Sequence, residues 1–429
     1  MLEIRTSAGR VRGEQLSGGP AGGIRRFLGI PHAARPARFQ PPTRPHPWDG
    51  VRPATAFGPS AIQSLDSPLG TAVPGMLVGA VDEDCLSVNV WTPVGAEHRP
   101  VLVWIHGGAY QIGGSSLETY DGARLAGEND VVVVSCNYRL GALGFAVLPG
   151  GTANVALLDM LSALRWVQDE IAQFGGDPDR VTVFGESAGA GSIRHLLATP
   201  ARKGLFRRAI LQSPGAEVVE RAAAVELAAR FVSHLEGVAP EVAPTELVLA
   251  AQEKAAADMA SALGFMPWSP VVDGDVVATV PPGDAADIDV IVGTTSEELS
   301  LFGAQELTDT MMRIPATLLA DELSRHNPAT YTYSFEWQAP VLGAAHAVDL
   351  PFTFGTFDRC GWGAFVGADE EAWVLADAIG ASWAAFAAHG DPSNDCTGRW
   401  SRHDPADRRT MVLGRRIGDA PNPVPVPGE

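Results

Sequence analysis

The chain has 429 residues, 46% of them hydrophobic, so it can bury a large core as one big α/β unit or as two to three average domains. A formal net charge of −19 argues against nucleic acid or an anionic membrane surface as partner, and it reads as solubility rather than as an acidic binding site. No run approaches the length of a membrane span, the N-terminus lacks an apolar signal core, and four cysteines in so long a chain do not make a disulfide scaffold.

Neither an internal repeat nor a Ser/Gly-rich linker divides the chain, so one domain (1–429) is expected, with a helical excursion at about 216–285 and a shortened one at about 303–330. Cys136, inside an apolar strand, is expected to be inert, and a Cys360–Cys396 bridge is left open. A reducing cytoplasm fits this cysteine usage best.

Residues 1–60 mix short strand patterns with Pro- and Gly-rich loops and read as a meandering edge segment. Residues 85–92, 101–105 and 131–138 are strand-like. Trp104-Ile-His-Gly-Gly-Ala-Tyr110 follows the second of these with small residues that would let backbone N–H groups approach a reacting carbonyl, as oxyanion loops do. Residues 156–174 are helical, with Leu157, Leu161, Leu164, Val167 and Ile171 spaced three or four apart.

The next strand, 181–184, runs into Gly185-Glu186-Ser187-Ala188-Gly189, a G-x-S-x-G turn opening a helix. Such a turn is so tight that the serine takes strained backbone angles, and side chains two positions either side would collide. It exposes Ser187 Oγ at the carboxyl end of a strand and aims the Ala188 N–H at the same spot. Strands 209–212, 289–293 and 331–337 come later, with an Ala-rich helical stretch at 222–263 and a late helix at 375–388. Strands alternating with helices predict a mostly parallel sheet covered on both faces, with catalytic groups on loops at the carboxyl ends of strands.

A serine nucleophile needs an orienting acid and a base. After strand 289–293, Glu297 and Glu298 both qualify, and spacing does not choose between them. Ten histidines compete for the base. His32, His46 and His98 lie upstream of the oxyanion loop, and His106 belongs to that loop as a structural hydrogen-bonder. His195, His234 and His326 sit in helical patterns, His389 ends a helix, and His403 lies in a polar tail. His346 comes after a late strand and the small-residue loop Gly343-Ala-Ala, where the order serine, acid, histidine places the base.

These residues make the chain resemble the type-B carboxylesterases, the cholinesterase-like branch of the α/β-hydrolases. The resemblance rests on Phe27-Leu-Gly-Ile-Pro31, Glu83-Asp-Cys-Leu-Ser-Val-Asn-Val-Trp-Thr-Pro93, Asn137-Tyr-Arg-Leu-Gly-Ala-Leu-Gly-Phe145, Phe174-Gly-Gly-Asp-Pro178 and the elbow. It implies an α/β-hydrolase fold and hydrolysis of small carboxylic esters through an acyl-Ser187 intermediate, with no cofactor and no metal. It also implies Glu298 as the acid, His346 as the base, and Gly108 and Ala109 as oxyanion donors beside Ala188. Arg38–Glu83 and Arg139–Asp177 are expected as scaffold salt bridges.

The chain departs from the family pattern in places. Ala347 and Leu299 stand where glycine often succeeds the histidine and the acid, Ala156 replaces a usual glycine and Met160 a usual glutamine. No tryptophan occurs between Trp48 and Trp91, which disfavours choline selectivity. Acid and base lie unusually close in sequence, with the shortfall at about 303–307, so a shallower, more open site is expected. A base with an ordinary histidine pKa would make activity rise around pH 6–7. Two readings stay alongside: an amide or carbamate hydrolase using the same residues, and a non-catalytic adhesion protein of the same fold. Oligomeric state is left open.

Overall fold

An eleven-stranded sheet runs through the computed structural model, which describes residues 2–16, 23–277, 285, 287–327 and 329–424. Its strands are β1 (Glu14–Leu16), β2 (Ile24–Pro31), β3 (Ser87–Pro93), β4 (Arg99–Ile105), β5 (Val132–Cys136), β6 (Gly176–Glu186), β7 (Arg208–Gln212), β8 (Asp289–Thr295), β9 (Thr330–Phe335), β10 (Arg409–Leu413) and β11 (Ile417–Pro421). Their spatial order is β11-β10-β9-β8-β7-β6-β4-β5-β3-β2-β1. The strands from β5 across to β10 are parallel, and β1, β2, β3 and β11 attach antiparallel at the two edges.

Central strand β4 shows why the sheet is covered twice. Val101, Val103 and Ile105 alternate with Leu102 and Trp104, all fully buried, and the two sets belong to different hydrophobic clusters. A strand apolar on both faces needs cover on both. The principal helices are α1 (Val155–Glu170), α2 (Ala188–Ala198), α3 (Arg221–Ser233), α4 (Thr245–Asp258), α5 (Ile314–His326) and α6 (Glu370–His389). Leu161 and Leu164 of α1 and Ile193 of α2 pack into the first cluster, and Leu375, Ile379 and Trp383 of α6 into the second.

Several elements differ from the sequence reading. The helix expected over 156–174 ends at Glu170, tightens into a 3₁₀ turn (Ile171–Phe174) and stops at Gly175, whose φ of 89° is left-handed. The Ala-rich stretch divides into α3, α4 and a single turn, Ala260–Leu263, and residues 278–284 of the expected excursion lie outside the described residues. Cys360 and Cys396 are exposed and unbridged.

The two scaffold salt bridges have different outcomes. Arg38 and Glu83 do pair, through two hydrogen bonds of 2.9 and 2.7 Å. Arg139 does not reach Asp177, which pairs instead with Arg180 at 2.8 Å. Arg139 grips Asp159 of α1 with Nε and Nη2 at 2.8 and 2.7 Å, and its backbone N–H donates to the same carboxylate. Asp159 is fully buried, so a charge there needs a cation inside the protein, and Asp177 is already served by its neighbour. Asp159→Asn is expected to lower unfolding free energy by about 3–5 kcal/mol, because it strands a buried guanidinium. A urea-unfolding change below ~1 kcal/mol would contradict this.

Candidate active site

Strand β6 delivers Ser187 at its carboxyl end, and α2 begins with the next residue. Ser187 sits at φ 55° and ψ −122°, a conformation that costs a non-glycine residue roughly 1–3 kcal/mol. Its N–H donates to Gln212 O at 2.9 Å, tying the turn to neighbouring β7. The flanking glycines are required by close approach. A Cβ on Gly185 would lie 2.7 Å from Ile105 O, and one on Gly189 only 2.1 Å from the same oxygen.

The loop after β4 faces the serine. Gly108 takes φ 113° and Ala109 φ 54°, and among the described residues no acceptor occupies either N–H. Ala188, first residue of α2, supplies a third N–H, since the opening amides of a helix have no partner within it. His106 stays out of the chemistry. It is buried, stacks on Tyr138 with ring centroids 4.4 Å apart, and places Nδ1 2.8 Å from Gly107 O. Burial lowers its pKa to about 4.

Acid and base approach from the ends of β8 and β9. Glu298 is fully buried: Oε1 accepts from the Thr295 N–H at 2.8 Å, and Oε2 lies 2.6 Å from His346 Nδ1. A backbone bond from His346 N to Glu298 O, 3.0 Å, clamps the two segments together. Glu297 does a different job. Its carboxylate accepts from Ala344 N at 3.0 Å, and its N–H donates to Ala344 O at 2.9 Å, so it fastens the loop that carries His346. Ala347, where relatives often have glycine, adopts φ 66° and carries the strain that glycine would avoid.

The remaining histidines are elsewhere in the fold. His403, expected in a polar tail, is instead buried with Nε2 2.7 Å from Asp321 Oδ1.

The sequence reading gives no role to Glu186, the residue inside the elbow motif. It is buried, and its Oε1 lies 3.1 Å from His346 Nε2 in a geometry short of a hydrogen bond. No hydrogen bond joins Ser187 Oγ to His346 among the described residues. Burial pushes the Glu186 pKa up, with Asp349 and Glu298 adding to it against the pull of His346. Burial alone would lower the pKa of His346, but Glu186 and Glu298 outweigh it and raise it. The pair therefore keeps a proton that must leave before the ring can act as a base.

A base must be neutral, so kcat/KM falls as pH drops through a raised pKa, and the acid limb should lie above the ordinary histidine value of 6.5. This moves the sequence expectation of 6–7 upward. Glu186→Gln removes one of the carboxyls that favour the charged ring, so it should shift that limb to lower pH. A limb that stayed in place in the variant would show that Glu186 does not tune the base.

Ser187 opens onto a cavity of about 70 Å³. Leu299, Leu301, Phe302, Met311 and Met312 contribute to its wall, so the short segment after Glu298 still reaches the site. Val73, Met76, Phe265 and Met266 close other sides. The rim faces solvent: Phe265, Phe302 and Met311 are 60%, 44% and 47% exposed, and the two phenyl rings stand 6.0 Å apart. Among the described residues, no helix is long and apolar enough to cross a membrane.

Known proteins are similar to this chain in sequence and in overall fold. The profile described as the Carboxylesterase family matches residues 1–307 and 303–420, two stretches that meet where the sequence reading places the shortfall. A para-nitrobenzyl esterase of Bacillus subtilis (strain 168) is 33% identical over 96% of this chain and 95% of its own. A phenmedipham hydrolase of Pseudarthrobacter oxydans is 33% identical over 91% of this chain and 92% of its own. The solved structure of a thermophilic PNB esterase superposes with a TM-score of 0.89 at 31% identity, covering 98% of both chains.

Proposed function

Since the chain belongs to the carboxylesterase family, has the α/β-hydrolase fold and is a serine hydrolase of carboxylic esters, we propose that Ser187 is its nucleophile, His346 its base and Glu298 its acid. The observation that carries this assignment is the convergence of three strand ends on one pocket: the strained Ser187 turn, the 2.6 Å His346–Glu298 contact, and open N–H groups at Gly108, Ala109 and Ala188.

In this reading His346 Nε2 takes the Ser187 proton as Oγ attacks the ester carbonyl. Glu298 holds the proton on Nδ1, fixing the tautomer and steadying the imidazolium that forms. The oxyanion rests on the three N–H groups, each worth about 2.7–4 kcal/mol to the transition state. The alcohol leaves with the proton from His346, and water then attacks the acyl-Ser187 with the same ring as base. In the structure His346 Nε2 stands 3.1 Å from Glu186 Oε1, so the reaction requires it to face Ser187 Oγ instead.

One domain with a helical excursion at about 216–285 accommodates this site, and the free, reduced cysteines support a cytoplasmic setting. Small-molecule esters are the substrate class. The test is initial rates across p-nitrophenyl esters from acetate to long acyl chains, with p-nitroanilides in parallel and the Ser187→Ala variant as control. Ester hydrolysis absent from the wild type, or unchanged in the variant, would overturn the assignment.

A further inference from the structure

One charged side chain on the pocket wall has no part in this chemistry. Glu217 lines the cavity beside Ser187, on the loop after β7, and is only partly buried. No hydrogen bond or ion pair engages its carboxylate among the described residues, although Arg194 of α2 lies in the same neighbourhood. The carboxylate folds back over Gly215, where an added Cβ would come within 2.1 Å of Oε2, so the chain leaves room for it. The rest of the wall is almost wholly apolar, and the other carboxyl there, Glu186, faces His346 at 3.1 Å.

The position of Glu217 relative to the reacting atoms fixes which part of a substrate it meets. His346 must hand a proton to the leaving alcohol, so the alcohol lies on the side of His346 and Phe302, whose rings are 6.2 Å apart. The Glu217 loop runs beside α2. A Cβ on Gly191 of α2 would lie 2.7 Å from Tyr110 Oη and 3.3 Å from Gly215 O, so this loop meets α2 where Tyr110 follows Ala109. An ester whose alcohol faces His346 leaves this end of the pocket to its acyl group.

We propose that Glu217 is a specificity-determining residue that makes the acyl side of the pocket favour esters of cationic acids and disfavour esters of anionic ones. The inference rests on the Ser187 esterase reading and deepens it by naming a substrate class. An unpaired carboxylate about 4 Å from a substrate charge acts with an energy set by partial solvent access, between the weak coupling of water and the stronger coupling near a protein surface. The protein's net charge of −19 pulls in the same direction at long range.

The test uses three p-nitrophenyl esters of matched size: one acyl chain ending in trimethylammonium, one in the neutral tert-butyl isostere, and one in carboxylate. Hydrolysis of the neutral ester by the wild type establishes the esterase reading independently. The wild-type enzyme is expected to prefer cationic over neutral acyl groups in kcat/KM. In Glu217→Gln that ratio should fall roughly tenfold, the anionic ester should gain, and the neutral ester should change little. The wild-type preference should also shrink as salt rises toward 1 M, and the variant should show a weaker dependence, set by the net charge alone. Equal loss on all three esters, or an unchanged cationic-to-neutral ratio, would overturn the proposal.

Discussion

Replacing Ser187 by alanine is expected to lower kcat on a p-nitrophenyl ester by about 10⁵–10⁶-fold while leaving the fold intact. The residue contributes nothing to the core that alanine would lose. Its N–H bond to Gln212 O is backbone, and its positive φ is equally available to alanine at similar cost. A folded variant, verified by an unchanged urea midpoint, should retain only the modest catalysis of the oxyanion donors and of binding. Adding His346→Ala to Ser187→Ala should cost almost nothing more, because the residues act as one unit. A double variant much slower than either single one would show that the two act separately.

The second large effect concerns the acid, where sequence left two neighbours open. Glu298→Gln is expected to lower kcat by about 10⁴-fold, since an amide facing Nδ1 favours the wrong tautomer or leaves the imidazolium without a counter-charge. Glu297→Gln should be mild in kcat. Its carboxylate holds the Ala344 N–H, so the loss should appear as a loosened His346 loop and modestly lower thermal stability. The geometry separates them: Glu298 is fully buried against the ring, whereas Glu297 grips backbone two residues before it. If Glu297→Gln were the crippling change, the assignment of the acid would be wrong.

Much of this site was legible because its chemistry constrains backbone as well as side chains. Ser187, Ala188 and the Gly108–Ala109 pair stand in local patterns that few other turns satisfy, and His346 is betrayed by its place after a late strand. The contacts that escaped the sequence were decided by packing between distant segments. Asp159 sits among Leu157, Met160, Leu161 and Leu164 on the buried side of α1, and an acid in such a run signals a hidden cation. Its partner Arg139 could not be named until the fold brought them together. Glu186 lay in plain view inside the elbow, but its approach to His346 depends on where β9 ends. Glu217 and the pocket methionines come from segments around positions 76, 217, 266 and 311, which share no periodicity. The split of residues 222–263 into separate helices was legible and went unread: Gly237 and the prolines at 240 and 244 break the pattern at its first joint.

The wall formed after Glu298 is assembled from single turns whose hydrogen bonds close locally: Gly303 N to Ser300 O, Ala304 N to Leu299 O, Leu307 N to Ala304 O. A Leu299 N–H bond to Thr308 Oγ1 fastens that stretch to the start of the next turn, and Ser300 Oγ donates to Leu342 O at 2.8 Å. The serine, acid and base, by contrast, hang from β6, β8 and β9 in the middle of the sheet. Beyond the anchors at Leu299 and Ser300, changes at residues 302–307 would reshape the wall while leaving Ser187, Glu298 and His346 on their strand ends. The sheet fixes where the reacting groups stand, while part of the surface a substrate meets hangs on a few single turns.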